Sequence, residues 1–260
     1  MSQEKISAVI LSYNNEKEIK RCLESLSWAD EVVVIDSFSS DKTAEICREH
    51  GAHVHQYKFT TFGEMRNLGL SHAAYNWIFS LDTDEVATTE VVKEVKSIAS
   101  KATQKDIYFV PRLNTVFGRE LRYGGWFPDY RQPQFFKKEA LVYNEKDDVH
   151  EGFQLKGDCG YLKNHIEQFP FDDLNHYLRK MDRYTSLMAK RMVKEGRRFS
   201  PIQLVVRPAF TFFKRYFLRG GFRDGFQGFL MAKLYSCYTF EKYAKFWELK
   251  SLEQDKNSSK

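Results

Sequence analysis

The stretch from Asn76 to Val86, NWIFSLDTDEV, sets Asp82, Asp84 and Glu85 directly behind a short apolar run. Trp77, Ile78, Phe79 and Leu81 read as a strand buried on both faces. The three acids are then expected to emerge at its carboxyl end, where open α/β sheets bind ligands. Carboxylates crowded there repel one another unless a cation neutralises them, and hard oxygen donors suit a divalent ion such as Mn²⁺ or Mg²⁺. The competing reading is an acidic helix start, because Thr88, Thr89 and Glu90 open an amphipathic stretch and early acids favour the helix dipole. A second acidic stretch, EKDDVHEGF, offers Asp147, Asp148 and Glu151 beside His150. A carboxylate there can take a proton from a hydroxyl; the competing reading is a surface turn with His150 in an ordinary hydrogen bond.

The elements that must position these groups are legible in the first hundred residues. Strand patterns ISAVIL, EVVVID, AHVHQY and WIFSLD alternate with helix patterns EKEIKRCLESL, DKTAEICREH, GEMRNLGLSHA and TTEVVKEVKSIAS. That rhythm predicts an α/β fold, a parallel sheet with crossover helices. Loops at the carboxyl ends of its strands form one crevice, so LSYNNE, VVVIDSFSSD and LDTDE should converge there. Asp36, ending the second strand, is placed to meet a ribose hydroxyl or a base N–H. SYNNE has no glycine, which excludes the tight phosphate turn of a dinucleotide fold, and no Walker loop is present. After Lys105 short strands are separated by Gly, Pro and Asn, and from Asp172 the pattern becomes helical.

With 260 residues, 42% hydrophobic and 15% aromatic, the chain can build one sizeable core, with or without an appendage. Cys22, Cys47, Cys159 and Cys237 lie far apart, which argues against a zinc site or disulfide framework and for a reducing compartment, with the thiols as buried small hydrophobes. No run reaches the length of a signal peptide or spanning helix, so a cytosolic location is expected. Residues 1–175 carry 21 basic against 28 acidic side chains, net −7, whereas residues 176–250 carry 17 against 5, net +12. An acidic half that looks catalytic is followed by a basic region suited to a polyanion or an anionic membrane. The expected organisation is a catalytic domain over 1–175, a helical, basic, aromatic-rich region over 176–250 and a disordered tail over 251–260.

SAVILSYNNE, VVVIDSFSSDKT, EMRNLGL and FSLDTDEV, in that order, resemble the nucleotide-sugar domain of family 2 glycosyltransferases. RYGGWFPDYRQPQFF, DDVHEGF, the following His165 and RGGFRDGFQGF are similar to the branch of β-glucosyltransferases that build the lipopolysaccharide core. The resemblance implies a GT-A-type, Rossmann-like, mostly parallel sheet with flanking helices and a helical basic C-terminal extension. It implies that Tyr13, with its neighbour Asn14, and Asp36 contact uracil and ribose, that Arg66 approaches the base, that Asp82 meets ribose or metal, and that Asp84 holds the metal. It points to Glu151 as the base, with Asp148 in reserve. Where the branch often has Arg-Leu-Phe this chain has Gln134, Phe135 and Phe136, so Arg131 or a nearby lysine is expected to take over that arginine's role.

Three positions stay open at this stage. His165 is either a metal or diphosphate contact or a structural histidine. Trp126 and Tyr130, beside Asp129, either stack on a sugar ring or pack a bend. The fourteen aromatics between Phe210 and Trp247, interleaved with Lys214, Arg215, Arg219 and Arg223, either meet a membrane interface or pack inward as a helical subdomain.

The expected activity is inverting transfer of a hexose, glucose by the resemblance, from a uridine-diphosphate sugar to a lipid-linked saccharide. The expected place is the cytosolic face of the inner membrane, peripheral on its anionic surface, with no nucleic acid as partner. A metal-dependent phosphohydrolase would also use Asp-x-Asp after a strand but suits Asp36 poorly. A nucleic-acid-binding protein would explain the basic region but leaves the acids idle.

Overall fold

The computed structural model of the protein describes residues 4–101, 105–145 and 152–258, of which 253–258 as backbone only. The chain opens with β1 (Ile6–Ser12), α1 (Ile19–Ser25), β2 (Glu31–Asp36), α2 (Thr43–Glu49), β3 (His53–Gln56), α3 (Phe62–His72) and β4 (Trp77–Asp82). Then come β5 (Glu85–Ala87), α4 (Thr89–Ala99), β6 (Ile107–Phe109), β7 (Arg112–Val116), β8 (Arg119–Leu121) and β9 (Pro133–Lys137). Strands β10 (Leu141–Tyr143), β11 (Phe153–Leu155), β12 (Cys159–Tyr161) and β13 (Ile166–Gln168) precede helices α5 (Leu174–Lys194), α6 (Ile202–Phe213) and α7 (Gly225–Ser258). The residues group into two units, Met1–Leu113 with Asp129–Gln168, and Asn114–Pro128 with Phe169–Lys260.

In the first unit seven strands form a sheet in the order β12-β6-β9-β4-β1-β2-β3. β1 pairs parallel with β2 and β4, and only β9 runs antiparallel, between β4 and β6. Trp77, Ile78, Phe79 and Leu81 are buried, as a strand covered on both faces requires. Alternate β1 residues feed two cores: Ala8 and Ile10 join α1, α2 and α4 on one face, and Val9 joins Met65 and Leu70 of α3 on the other. Gly69 permits the second contact, because a Cβ there would lie 2.5 Å from Val9 Cγ1. Thr88 caps α4 by accepting from the Val91 N–H at 3.3 Å, so the acidic helix start holds for Glu90 and not for the acids at 82–85.

The second unit begins with the β7–β8 hairpin and continues through α5, α6 and α7. Asp224, buried, accepts from the backbone N–H groups of Arg122 (3.3 Å) and Tyr123 (2.9 Å), closing the hairpin segment onto the start of α7. Trp126, Tyr177 and Met231 pack with Val116 and Leu121 in one cluster; Ala189, Met192, Tyr243 and Phe246 form another. The inward-packing alternative for the aromatic region holds in part. Some rings pack inward, while Ile202, Val205, Phe210 and Phe213 of α6, then Phe217 and Phe226, are exposed at 48–71%.

Several placements differ from the sequence expectations. The boundary expected at 175 falls at Phe169, and the second unit also takes in residues 114–128. The tail expected to be disordered continues α7 to Ser258, since Lys, Leu, Glu and Gln there are good helix formers. Cys22 and Cys47 are buried, but Cys159 is half-buried and Cys237 exposed; all four are free. Among the described residues no helix is long and apolar enough to cross a membrane.

Candidate functional site

The loops after β1 and β2 are laced together. The Asn14 N–H donates to Ser39 Oγ at 2.9 Å, and Ser40 N–H donates to Asn14 Oδ1 at 2.8 Å. Asp36 lies beneath this lacing, fully buried, accepting from Ser12 Oγ (3.1 Å), Ser39 N–H (3.0 Å), Ser39 Oγ (2.5 Å) and Gln56 Nε2 (2.9 Å). Burial pushes its carboxyl up, but the hydrogen bonds from Gln56, Ser39 and Ser12 prevail and hold it below the usual range. Asp36 was expected to touch a ligand directly. Its oxygens accept from protein donors at the end of β1, in the loop after β2 and on β3, so it ties the two loops together. What those loops expose is Tyr13 and Phe38. Asn14 and Phe38 both adopt left-handed backbone, with φ of 52° and 56°. For Phe that is a strained conformation, of the kind that clusters at functional sites.

Arg66, from α3, is buried and reaches across to β4. Its Nη1 donates to Ser80 Oγ at 3.0 Å and its Nη2 to Asp82 Oδ1 at 2.7 Å, while its guanidinium carbon lies 5.6 Å from the Tyr143 ring centre. The guanidinium expected near a base therefore orients Asp82. The next residue, Asn67, donates to Tyr143 O (3.0 Å) and Glu145 Oε1 (2.9 Å) and accepts from Tyr143 N–H. One turn of α3 thus holds both the acidic strand end and the start of the β10–β11 connection. Asp148 and Glu151, the expected bases, lie outside the described residues.

Glu85 does not emerge with its neighbours, as expected for all three acids, but turns inward and is fully buried. Oε1 accepts from Arg112 Nε (2.5 Å), and Oε2 from Gln134 Nε2 (2.8 Å) and the Asp82 N–H (2.9 Å). Burial raises its carboxyl, the Arg112 guanidinium opposes the rise, and Asp82 and Asp84 add to it. Strand β9 brings Gln134 to this carboxylate and Arg112 supplies the positive charge. Arg131, expected with a nearby lysine as the alternative to take over the branch arginine's role, is exposed and donates to Asp129 two residues back. Asp129 in turn accepts the Arg112 N–H on its backbone oxygen at 3.1 Å. Arg112 gave no signal in the sequence beyond being an arginine in a short strand.

Asp82 and Asp84 remain at the strand end. The side chain of Asp82 is 37% exposed, and Gln168 Nε2 lies 3.5 Å from each oxygen of Asp84, a long contact. Among the described residues no three acidic, histidine or cysteine side chains form a complete metal cage. The donor set nevertheless fits a small divalent ion, which is commonly held by one or two carboxylates and completes its shell with phosphate oxygens and water. His165 is not brought to this set. In the β5–β13 ladder Gln168 pairs with Glu85 and Ile166 with Ala87, so His165 falls beside Thr88, whose Oγ1 donates to its carbonyl at 2.6 Å. At about 3.4 Å per residue the three steps from Thr88 to Glu85 are roughly 10 Å, with Asp84 one residue further on.

Trp126 belongs to the second unit and resolves as packing. It is buried edge-on to Tyr235 at 5.5 Å, with the Arg215 guanidinium 5.9 Å from its ring centre. Tyr130, in the first unit, donates to Leu162 O at 3.2 Å. Three positioning residues escaped the sequence reading: Asn67, Arg112 and Phe38. Only Phe38 carried a signal, as an apolar residue inside the serine-rich turn SFSSD.

The family model for Glycosyl transferase family 2 matches residues 7–160. The chain is 27% identical to an uncharacterized glycosyltransferase of Rickettsia felis, over 98% of this chain and 93% of that protein. It is 24% identical to the lipopolysaccharide core biosynthesis glycosyltransferase LpsC of Rhizobium meliloti, over 97% of this chain and 95% of the relative. Among solved structures, S. aureus TarS 1–349 superposes with a TM-score of 0.51 at 15% identity, covering 95% of this chain and 91% of that one. Against the longer TarS chain the TM-score is 0.50 at 19% identity, and this chain spans 39% of its length. The fold shared with these neighbours is of the GT-A type.

Proposed function

Because the chain belongs to glycosyltransferase family 2, we propose that it moves a hexose, glucose in our reading, from a uridine-diphosphate sugar to a lipid-linked saccharide with inversion at the anomeric carbon. The observation that carries this reading is the pinning of Asp82 by buried Arg66 beside Asp84, at the carboxyl end of β4. That arrangement suits a diphosphate brought by its own cation. A divalent ion held by Asp84, with Asp82 beside it, would neutralise charge on the departing diphosphate.

The chain's own residues do the rest. Tyr13 and Phe38 offer ring faces to the uracil, on loops fixed by Asp36 and Asn14. Asp129 and Arg131 flank the same strand end and are candidates for sugar or acceptor hydroxyls. Glu151, with Asp148 in reserve, accepts the proton of the acceptor hydroxyl as its oxygen bonds to the anomeric carbon and uridine diphosphate leaves from the opposite face. The choice of Glu151 rests on the sequence resemblance alone.

A lipid-linked acceptor is supported by the name of the LpsC relative, which concerns the lipopolysaccharide core, and by the exposed apolar face of α6 with basic residues around it. Peripheral attachment to an anionic membrane on its cytosolic side accords with those features. The test is a screen of nucleotide sugars for slow metal-dependent hydrolysis, followed by transfer to lipid-linked saccharides. Release of uridine diphosphate from a uridine-diphosphate hexose is expected. Phosphate release from simple phosphate esters, with every nucleotide sugar left intact, would overturn the reading.

A further inference from the structure

Between α6 and α7 lies a cleft of ≈ 430 Å³, wholly within the second unit. Arg207 and Lys242 line it from opposite helices, and Tyr243 lies under both, with its ring centre 5.2 Å from each cationic group. Among the described residues neither cation forms an ion pair with a carboxylate, whereas Lys245, one turn away on α7, bridges to Glu241 and Asp182. Burial, and then Arg207 and Arg197, depress the Lys242 ammonium below the usual lysine range. Two cations facing one cleft without an acid is an arrangement that an anion relieves.

The cleft also has hydroxyls to offer. Thr211 Oγ1 lies 2.9 Å from Arg207 O and 3.2 Å from Thr239 Oγ1, which lies 2.9 Å from Tyr235 O. Each hydroxyl has one proton, so donating to a bound oxygen would mean turning it away from the Arg207 or Tyr235 carbonyl. The remaining walls are Val206 and Phe210, both more than half exposed and part of the apolar face of α6 that includes Ile202, Val205 and Phe213. A small hydrated ion gains nothing from such walls. A phosphate attached to acyl chains does, because its charge meets the cations at headgroup depth while the apolar face enters the acyl boundary.

We propose that this α6–α7 cleft binds the phosphate group of an anionic membrane lipid, with Arg207 and Lys242 holding the phosphate and Val206 and Phe210 meeting the lipid's apolar part. The assignment deepens the membrane reading above and rests on it for the lipid source, while donor chemistry plays no part in it. It gives the enzyme a specific lipid contact rather than a diffuse basic surface.

The test uses the full chain and vesicle co-sedimentation. One set of phosphatidylcholine vesicles carries phosphatidic acid; the other carries oleate at matched surface charge. Tighter binding to the phosphatidic acid set is expected, falling roughly tenfold or more in Arg207→Gln/Lys242→Met. The control Lys190→Gln/Arg198→Gln, which removes the same charge from exposed positions, should stay within about twofold. Equal binding to both sets, or equal loss in the control, overturns the proposal. Lys242→Met alone should lose binding yet melt no lower than the native chain, because it removes a penalised ammonium; a large fall in Tm with the loss makes Lys242 a packing group and also overturns it. Competition by millimolar inorganic phosphate down to the phosphatidylcholine baseline would assign the cleft to free phosphate and remove the lipid source. Hydrolysis of uridine-diphosphate sugar should persist in Lys242→Met, so a failure of the transferase reading shows as missing hydrolysis in the native chain, whatever the vesicles do.

Discussion

Arg66 Nη2 donates to Asp82 Oδ1 at 2.7 Å, with the arginine almost fully buried and the carboxylate partly open to solvent. The pair joins α3 to the end of β4 and fixes Asp82 there.

Arg66→Gln should therefore loosen Asp82 without emptying the core. We expect kcat/KM for the nucleotide sugar to fall at least tenfold. Stability should fall by about 1–3 kcal/mol, less than for a fully buried pair because Asp82 is half screened by water. Steady-state kinetics and chemical denaturation measure the two effects, and unchanged kinetics would remove Arg66 from the positioning role.

Asp84→Asn keeps the shape of the strand end and removes a hard anionic ligand. Mn²⁺- or Mg²⁺-dependent hydrolysis should drop by more than about a hundredfold, with Tm within a few degrees of the native chain. Undiminished turnover with either ion sinks the metal assignment.

Glu151→Gln preserves shape and much of the hydrogen bonding while removing the proton acceptor. Transfer should fall by about 10²- to 10⁴-fold with donor affinity near the native value, read by single-turnover transfer and by donor titration. If Asp148→Asn produces that pattern instead, the base is Asp148.

Arg112→Met strands the buried Glu85 carboxylate and should cost about 3–5 kcal/mol at neutral pH. Burial already raises the Glu85 carboxyl. The folded state keeps its proton over a pH range in which the unfolded chain has lost it, so stability falls as pH rises through that range. Denaturation of the variant at pH 5 and pH 8 should show a deficit that shrinks at the lower pH. A deficit independent of pH would mean that the lost term is packing alone.

Lys214→Gln and Arg215→Gln should part company although they are adjacent and equal in charge. Arg215 donates to Gly124 O at 3.0 Å and lies 3.4 Å from the Tyr235 ring centre, whereas Lys214 is exposed. Arg215→Gln should lower Tm by several degrees and Lys214→Gln should not. Equal melting of the two would remove the structural role of Arg215.

The parallel core was legible because β1, β2 and β4 are mostly apolar runs and the helices between them keep a clear period. The convergence of SYNNE, Asp36 and the acids after β4 was legible for the same reason. Which carboxylates turn inward was not. Asp36 and Glu85 look like their neighbours in sequence, and their inward turn depends on donors supplied from elsewhere: Gln56 for one, Arg112 and Gln134 for the other. Short strands such as β7 and β9 carry too few residues for a period to show which side chain points at the acids. Trp126 and His165 were ambiguous for a related reason, since each depends on a partner or a strand register set by residues remote in sequence.

Strand β9 has a consequence for how the molecule is made. Among the described residues it is the only strand that pairs with β4 on the side away from β1, yet it lies about fifty residues later in the chain. Until Pro133–Lys137 emerge during synthesis, the outer edge of β4, with Trp77, Ile78 and Phe79, stands open as a flat apolar template for pairing with other chains. A fragment ending after α4 would hold every motif around the acids and still lack the strand that closes that edge and brings Gln134 to Glu85. Such a fragment should aggregate instead of binding nucleotide, and a graft of this module into another protein has to carry the chain at least through residue 137.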